Sequence, residues 1–146
     1  MADITELPTT GEIGGPSPRV LRLVLRYRSD DPYAVTLCFP GPAVLGALTV
    51  EDGGAIEDGI QWTVGRDLLD EGTRTPAGSG DLLVRPEEPG RVRLDFLSAI
   101  GTATFRMAGA DLRRFLDATK ELVPPGTETA LIDWPATADE FLDRIA

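Results

Sequence analysis

The sequence contains no histidine. That removes the commonest general base near neutral pH and the commonest transition-metal ligand. A serine–histidine or cysteine–histidine nucleophile pair is therefore impossible within one chain. The single cysteine, Cys38, allows no intrachain disulfide and cannot close a zinc site of the usual Cys/His kind. No cation or helix start lies beside it in the sequence to activate it, so it reads as a small strand residue. Neither G-x-x-x-x-G-K-[ST] nor G-x-G-x-x-G occurs, and Gly78-Ser79-Gly80 has the wrong continuation. No apolar run approaches the roughly 20 residues needed to span a bilayer. No basic segment followed by an apolar stretch leads the chain, so no signal peptide is expected and the cytoplasm is the expected compartment. Only carboxylate chemistry stays formally open, and with 24 acidic residues a pair on one face arises by chance. These absences predict a protein that is not an enzyme and carries no cofactor or metal.

What is present suits one globular domain. The 146 residues are 42% hydrophobic and 26% charged, ordinary values for a packed domain. Sixteen glycines and twelve prolines punctuate short apolar runs, the pattern of many turns between short strands. The formal charge of −10 repels a phosphate backbone at long range.

Residues 1–18 are rich in Gly and Pro and poor in apolar residues. They read as a flexible arm with at most one short strand around Ile4–Leu7. A single domain is expected over 19–146. Leu21, Leu23, Leu25 and Tyr27 alternate with polar or mixed neighbours, as do Tyr33, Val35, Leu37 and Phe39. With Asp31-Pro32 between them the two runs predict a hairpin. Further strands are expected over 60–64, 81–85 (closed by Pro86), 91–98 and 102–107, with a short one through Val44, Leu45, Leu48 and Val50. Residues 67–72 read as one helical turn with a left-handed stop at Gly72. Leu112, Phe115, Leu116, Thr119 and Leu122 form one helical stripe ended by Pro124-Pro125-Gly126. Thr137 and Glu140 make a capping box before a second short helix. The predicted class is α+β: curved antiparallel sheets or a barrel of about six to seven short strands with two C-terminal helices. Arginines lie on strand faces, Arg22, Arg26 and Arg28 on one and Arg91 and Arg93 on another, and read as solvated faces with cross-strand ion pairs.

Four fragments fall in a recognisable order: Asp31-Pro32-Tyr33, Trp62 to Gly72 with Arg66 and Asp67 at its centre, Thr75 to Asp81 with Gly80, and Val123 to Glu128 containing Pro124-Pro125-Gly126. Together they resemble the SsgA-like sporulation and cell-division family of actinomycetes, over about Arg19 to Ala146. The roles expected of the residues are structural. Pro32 stiffens the turn, Trp62 anchors the core, and Asp67 either caps the helical turn or pairs with Arg66. Gly72, Gly78 and Gly80 permit unusual backbone angles. The resemblance implies a homotrimer with a fold similar to the whirly-type single-stranded nucleic-acid binders. It implies a scaffold concentrated at the division septum that recruits or positions the tubulin-like protein FtsZ, or contacts a paralogous SsgA-like protein. Single-stranded nucleic-acid binding is the alternative that the fold similarity suggests, and the charge speaks against it. Two regions depart from the family pattern. No alternating apolar run precedes Val20, and the Pro40–Gly59 stretch is long and acidic, an exposed excursion expected to adjust partner choice.

Overall fold

The computed structural model describes residues 2–14, 18–40, 60–98 and 101–131. Within them the chain forms β1 (Ile4–Ile13), β2 (Arg19–Arg28), β3 (Ala34–Phe39), β4 (Ile60–Gly65), α1 (Arg66–Gly72), β5 (Leu82–Glu87), β6 (Arg91–Ser98), β7 (Gly101–Ala108), α2 (Gly109–Leu122) and a 3₁₀ turn (Glu128–Leu131). The seven strands make one antiparallel sheet in the order β4-β3-β2-β1-β7-β6-β5. The α+β class with seven strands is thus as expected. The predicted strand through Val44 and Val50 and the helix after Thr137 lie outside the described residues.

The sheet is curled into half a barrel. Three strands separate β3 from β6, which in a flat sheet would hold them about 19 Å apart. Yet the ring of Phe39 on β3 lies 6.0 Å from Phe96 on β6 and 5.2 Å from Phe105 on β7. Trp62 on β4 lies 4.9 Å from Phe96. Only curvature that faces one flank toward the other brings these rings into contact.

Alternation along each strand sends one set of side chains into the concavity. Leu23, Leu25, Tyr27, Val35, Leu37, Phe39, Val92, Leu94 and Phe105 are buried there. Helix α2 follows β7 directly and closes the bowl with Leu112, Phe115, Leu116 and Thr119. Lys120 Nζ donates to Asp70 Oδ1 at 2.9 Å and ties α2 to α1.

Several expectations change. Residues Ile4–Ile13 are no flexible arm but the central strand of the sheet, paired with β2 along all ten residues and with β7 at Gly11–Ile13. Its inward positions are Thr5, Leu7, Thr9, Gly11 and Ile13, so hydrophobic alternation is nearly absent. Gly11 is required, because a methyl group there would overlap the Phe105 ring and lie 2.5 Å from the Arg106 carbonyl oxygen. Pro86 does not end β5, which runs to Glu87. β5 is an edge strand, where a missing N–H can face away from the ladder. Gly72 is not left-handed: α1 ends at Thr73, whose hydroxyl donates to the Asp70 carbonyl at 2.7 Å. Gly72 serves close packing instead, since a Cβ there would overlap Val84. Gly78 and Gly80 do take positive φ, 99° and 85°.

Candidate functional site: a buried arginine node and the surface above it

β4 ends at Gly65, whose extended backbone turns the chain into α1. Arg66, the first residue of that helix, donates its backbone N–H to the Tyr33 carbonyl at 2.8 Å. Its side chain points inward and is 2% exposed. Nη1 donates to the Thr119 and Val123 carbonyls at 3.2 and 2.8 Å. These carbonyls lie at the C-terminal end of α2, the negative end of its dipole, where a cation is favoured. Nη2 donates to Glu128 Oε2 at 2.9 Å. The guanidinium carbon also sits 5.2 Å from the centre of the Tyr27 ring, a cation–π contact inside the protein. Tyr27 in turn donates its hydroxyl to the Pro32 carbonyl at 2.9 Å. Glu128 Oε1 accepts the Gly126 N–H at 2.7 Å, and Gly126 reaches that position with φ 93°.

One arginine therefore joins the β2–β3 turn, the β4–α1 junction, the end of α2 and the segment that follows. Pro32, Arg66 and Gly126, far apart in the sequence, converge on it. Its groups are held by fixed partners away from solvent, so the arrangement positions chain rather than performs chemistry. The buried cysteine is equally quiet: burial pushes the Cys38 thiol up, with Arg26 opposing. Burial likewise pushes the Tyr27 hydroxyl up.

The remaining motif residues lie around this node or beyond it. Asp31, Tyr33, Asp67, Pro124 and Pro125 are exposed, with Tyr33 at 44%. Asp67 neither caps α1 nor pairs with Arg66, because α1 has no side-chain cap and the guanidinium is committed to Glu128. Trp62 is half-buried on edge strand β4 and packs on Phe96, so it borders the core rather than anchoring it. Gly80 and Asp81 form the exposed turn before β5, where the Asp81 carbonyl accepts the Leu97 N–H at 2.8 Å. Tyr27, Thr119 and Glu128 belong to the node but carried no separate mark in the sequence.

The Glu128 carboxyl is held below its ordinary value of 4.5, first by its own backbone N–H and then by the Arg66 hydrogen bond. A carboxyl depressed in the folded state contributes stability above its unfolded pKa and loses it as pH falls through the folded value. The melting temperatures of the wild type and Glu128→Gln should therefore differ most at neutral pH. The gap should narrow below about pH 4.5 as the wild-type carboxyl protonates. A gap that stays constant from neutral to acid pH would show that the carboxylate charge does not hold the node.

The sequence profile of the family described as "Streptomyces sporulation and cell division protein, SsgA" matches residues 21–128. The sporulation-specific cell division protein SsgB of Kineococcus radiotolerans is 36% identical over 144 residues, covering 95% of this chain and 74% of the relative. SsgB of Frankia casuarinae is 34% identical over 127 residues, covering 85% of this chain and 80% of the relative. A solved SsgB structure, reported with mutations that correlate to longitudinal cell division during sporulation of Streptomyces coelicolor, superposes with a TM-score of 0.75. It shows 29% identity and covers 90% of this chain and 97% of its own. The crystal structure of an SsgA-like sporulation-specific cell division protein from Thermobifida fusca gives a TM-score of 0.75 at 27% identity, over 99% of this chain and 97% of that one.

Proposed function

Since the chain belongs to the SsgA family of sporulation and cell division proteins, we propose that it is a non-enzymatic scaffold or regulator of sporulation-specific septation. In this reading it recruits or positions FtsZ, or engages a paralogous SsgA-like protein, through protein–protein contacts at the septum. A role in cell division is what the relatives have in common, since those reported are named sporulation-specific cell division proteins. The observation that carries the non-catalytic part is the Arg66 node. The most distinctive charged residue of the family fragments is buried and bonded to carbonyls and Glu128. A reactive group has to meet a substrate, and this one meets only the chain itself.

The scaffold acts as a homotrimer in this proposal, since symmetric copies multiply weak contacts to a polymerising partner. The test is capture of purified FtsZ, and of a paralogous SsgA-like protein, on the immobilised chain, with light scattering on the free chain. Binding of either partner by a species of trimeric mass is the expected result. Capture of neither partner overturns recruitment, and a monomer at tens of micromolar overturns the trimer.

Single-stranded nucleic-acid binding is the competing reading. Such binders stack bases on exposed aromatic side chains, whereas Phe39, Phe96 and Phe105 are buried in the concavity. A salt-dependent gel shift with single-stranded DNA separates the two readings.

A further inference from the structure

We propose that a row of arginines across the convex face, Arg85–Arg93–Arg106, docks an acidic peptide segment of a partner protein. The inference rests on the reading of the chain as a protein-binding platform and names the chemistry of one partner surface.

The row follows from register. Arg85 on β5 pairs directly with Arg93 on β6, and Arg93 pairs directly with Arg106 on β7. Arg106 is opposed in turn by Glu12 on β1. All of these point away from the concave core, so three guanidiniums stand side by side on adjacent strands. Like charges directly opposite one another destabilise a sheet. A fold that selects only for stability has no reason to keep three in line, and local choices that conflict with stability concentrate at functional sites.

The carboxylates nearby neutralise the row only in part. Glu87 accepts from Arg106 Nε at 2.6 Å and lies 3.8 Å from both Arg91 and Arg93. Those arginines hold its carboxyl below the usual range, Arg106 most strongly. Asp95 pairs with Arg93 at 3.0 Å, and Glu12 with Arg91 at 3.5 Å. These three carboxylates pair with Arg91, Arg93 and Arg106, and a fourth arginine, Arg85, is exposed and has no ion pair among the described residues. Arg91 Nε is buried without a hydrogen-bond partner. Beside it a groove of about 300 Å³ opens between Glu12, Val20, Arg91, Arg106 and Ala108. Farther along the same face Arg22 also has no ion pair among the described residues, while Arg26 pairs with Glu6. This basic excess lies on a chain of formal charge −10.

The dimensions favour a peptide. Three adjacent strands span about 10 Å, the length of about three residues of an extended segment. Guanidinium forks bind carboxylates through paired hydrogen bonds. Among the described residues a nucleic-acid strand would find no aromatic ring beside this row to stack on, and would meet Glu12, Glu87 and Asp95 between the cations.

The test uses the full chain and its Arg85→Glu variant, with Arg114→Glu on the exposed face of α2 as a control of equal charge change. Fluorescence anisotropy follows a labelled oligo-aspartate peptide at low salt, with labelled oligo-thymidylate and phosphatidylglycerol vesicles as competing probes. The expected result is that wild type and Arg114→Glu bind oligo-aspartate alike while Arg85→Glu binds about tenfold or more weakly. Arg85→Glu should melt at or above the wild-type temperature, because it replaces a like-charge contact with an attractive one. No binding by the wild type, equal binding by both variants, or tighter binding to the oligonucleotide or the vesicles overturns the proposal. Capture of the division partner is measured in parallel. Capture unchanged in Arg85→Glu refutes the docking row and leaves the scaffold reading intact. Peptide binding that depends on Arg85, with no division partner captured by the wild type, does the reverse.

Discussion

Replacing Arg66 with methionine should lower the melting temperature by about 10–20 °C, the scale expected when one partner of a buried ion pair is removed from a domain of this size. Methionine keeps much of the volume, so the loss is not chiefly one of packing. What it removes is the donor to Thr119 and Val123 at the end of α2, and the counter-charge of Glu128. A buried carboxylate left without a partner is the costly outcome, more so than the absence of the pair. The double variant Arg66→Met with Glu128→Met should therefore recover part of the loss, which a double-mutant cycle measures. If Arg66→Met melts within about 2 °C of the wild type, less than the shift of one kcal/mol, the node does not hold these elements together.

Gly11→Ala should be the second most damaging small change. The added methyl overlaps Phe105, which is fully buried, and meets the Arg106 backbone oxygen at 2.5 Å. The ring could shift, but the carbonyl belongs to the neighbouring strand of the ladder. Overpacking of this kind costs typically about 1–3 kcal/mol, and a backbone obstacle places it at the upper end. Phe105→Leu added to Gly11→Ala should restore little, because the carbonyl remains. Thermal unfolding of the two variants decides it. Restoration of wild-type stability by Phe105→Leu would assign the strain to the ring alone.

Gly11 also explains which parts of the fold were legible beforehand. β2, β3 and β6 turn Leu, Val, Phe or Tyr inward at every second position and β7 turns Ala103, Phe105 and Met107 inward, so their alternation marks them as strands. β1 turns inward two threonines and a glycine as well as Leu7 and Ile13. Thr9 spends its hydroxyl on Asp111 at 2.8 Å, and Gly11 leaves room for Phe105. The segment at the centre of the sheet thus has the composition of a loop. The node was hidden for a different reason. Arg66 follows a strand at the start of a short helix, a position that suggests a local partner such as Asp67. Its actual partners stand 53 to 62 residues downstream, beyond any local pattern. Glu128 lay within a fragment that supported the family resemblance, yet nothing in its neighbours marks it as buried. Arg91 and Arg93 of β6 were visible as strand-face charges, but only register puts Arg93 in one row with Arg85 and Arg106.

The sheet order has a consequence for how the chain is made. β5-β6-β7 is a local meander, able to zip from short loops, while β2-β3-β4 pairs in chain order with the long 40–59 segment between β3 and β4. β1 is the seam between them, and its pairing with β7 joins Gly11 to Met107. Such non-local pairing forms slowly, because loop closure must precede the contacts that reward it. During synthesis β1 leaves the ribosome before β7 and waits for it before its second edge is covered. Until then the β1–β2 hairpin presents an open edge, the feature through which partly made sheets associate wrongly. Pro8 lies within that edge and cannot donate to a strand that arrives from the wrong chain.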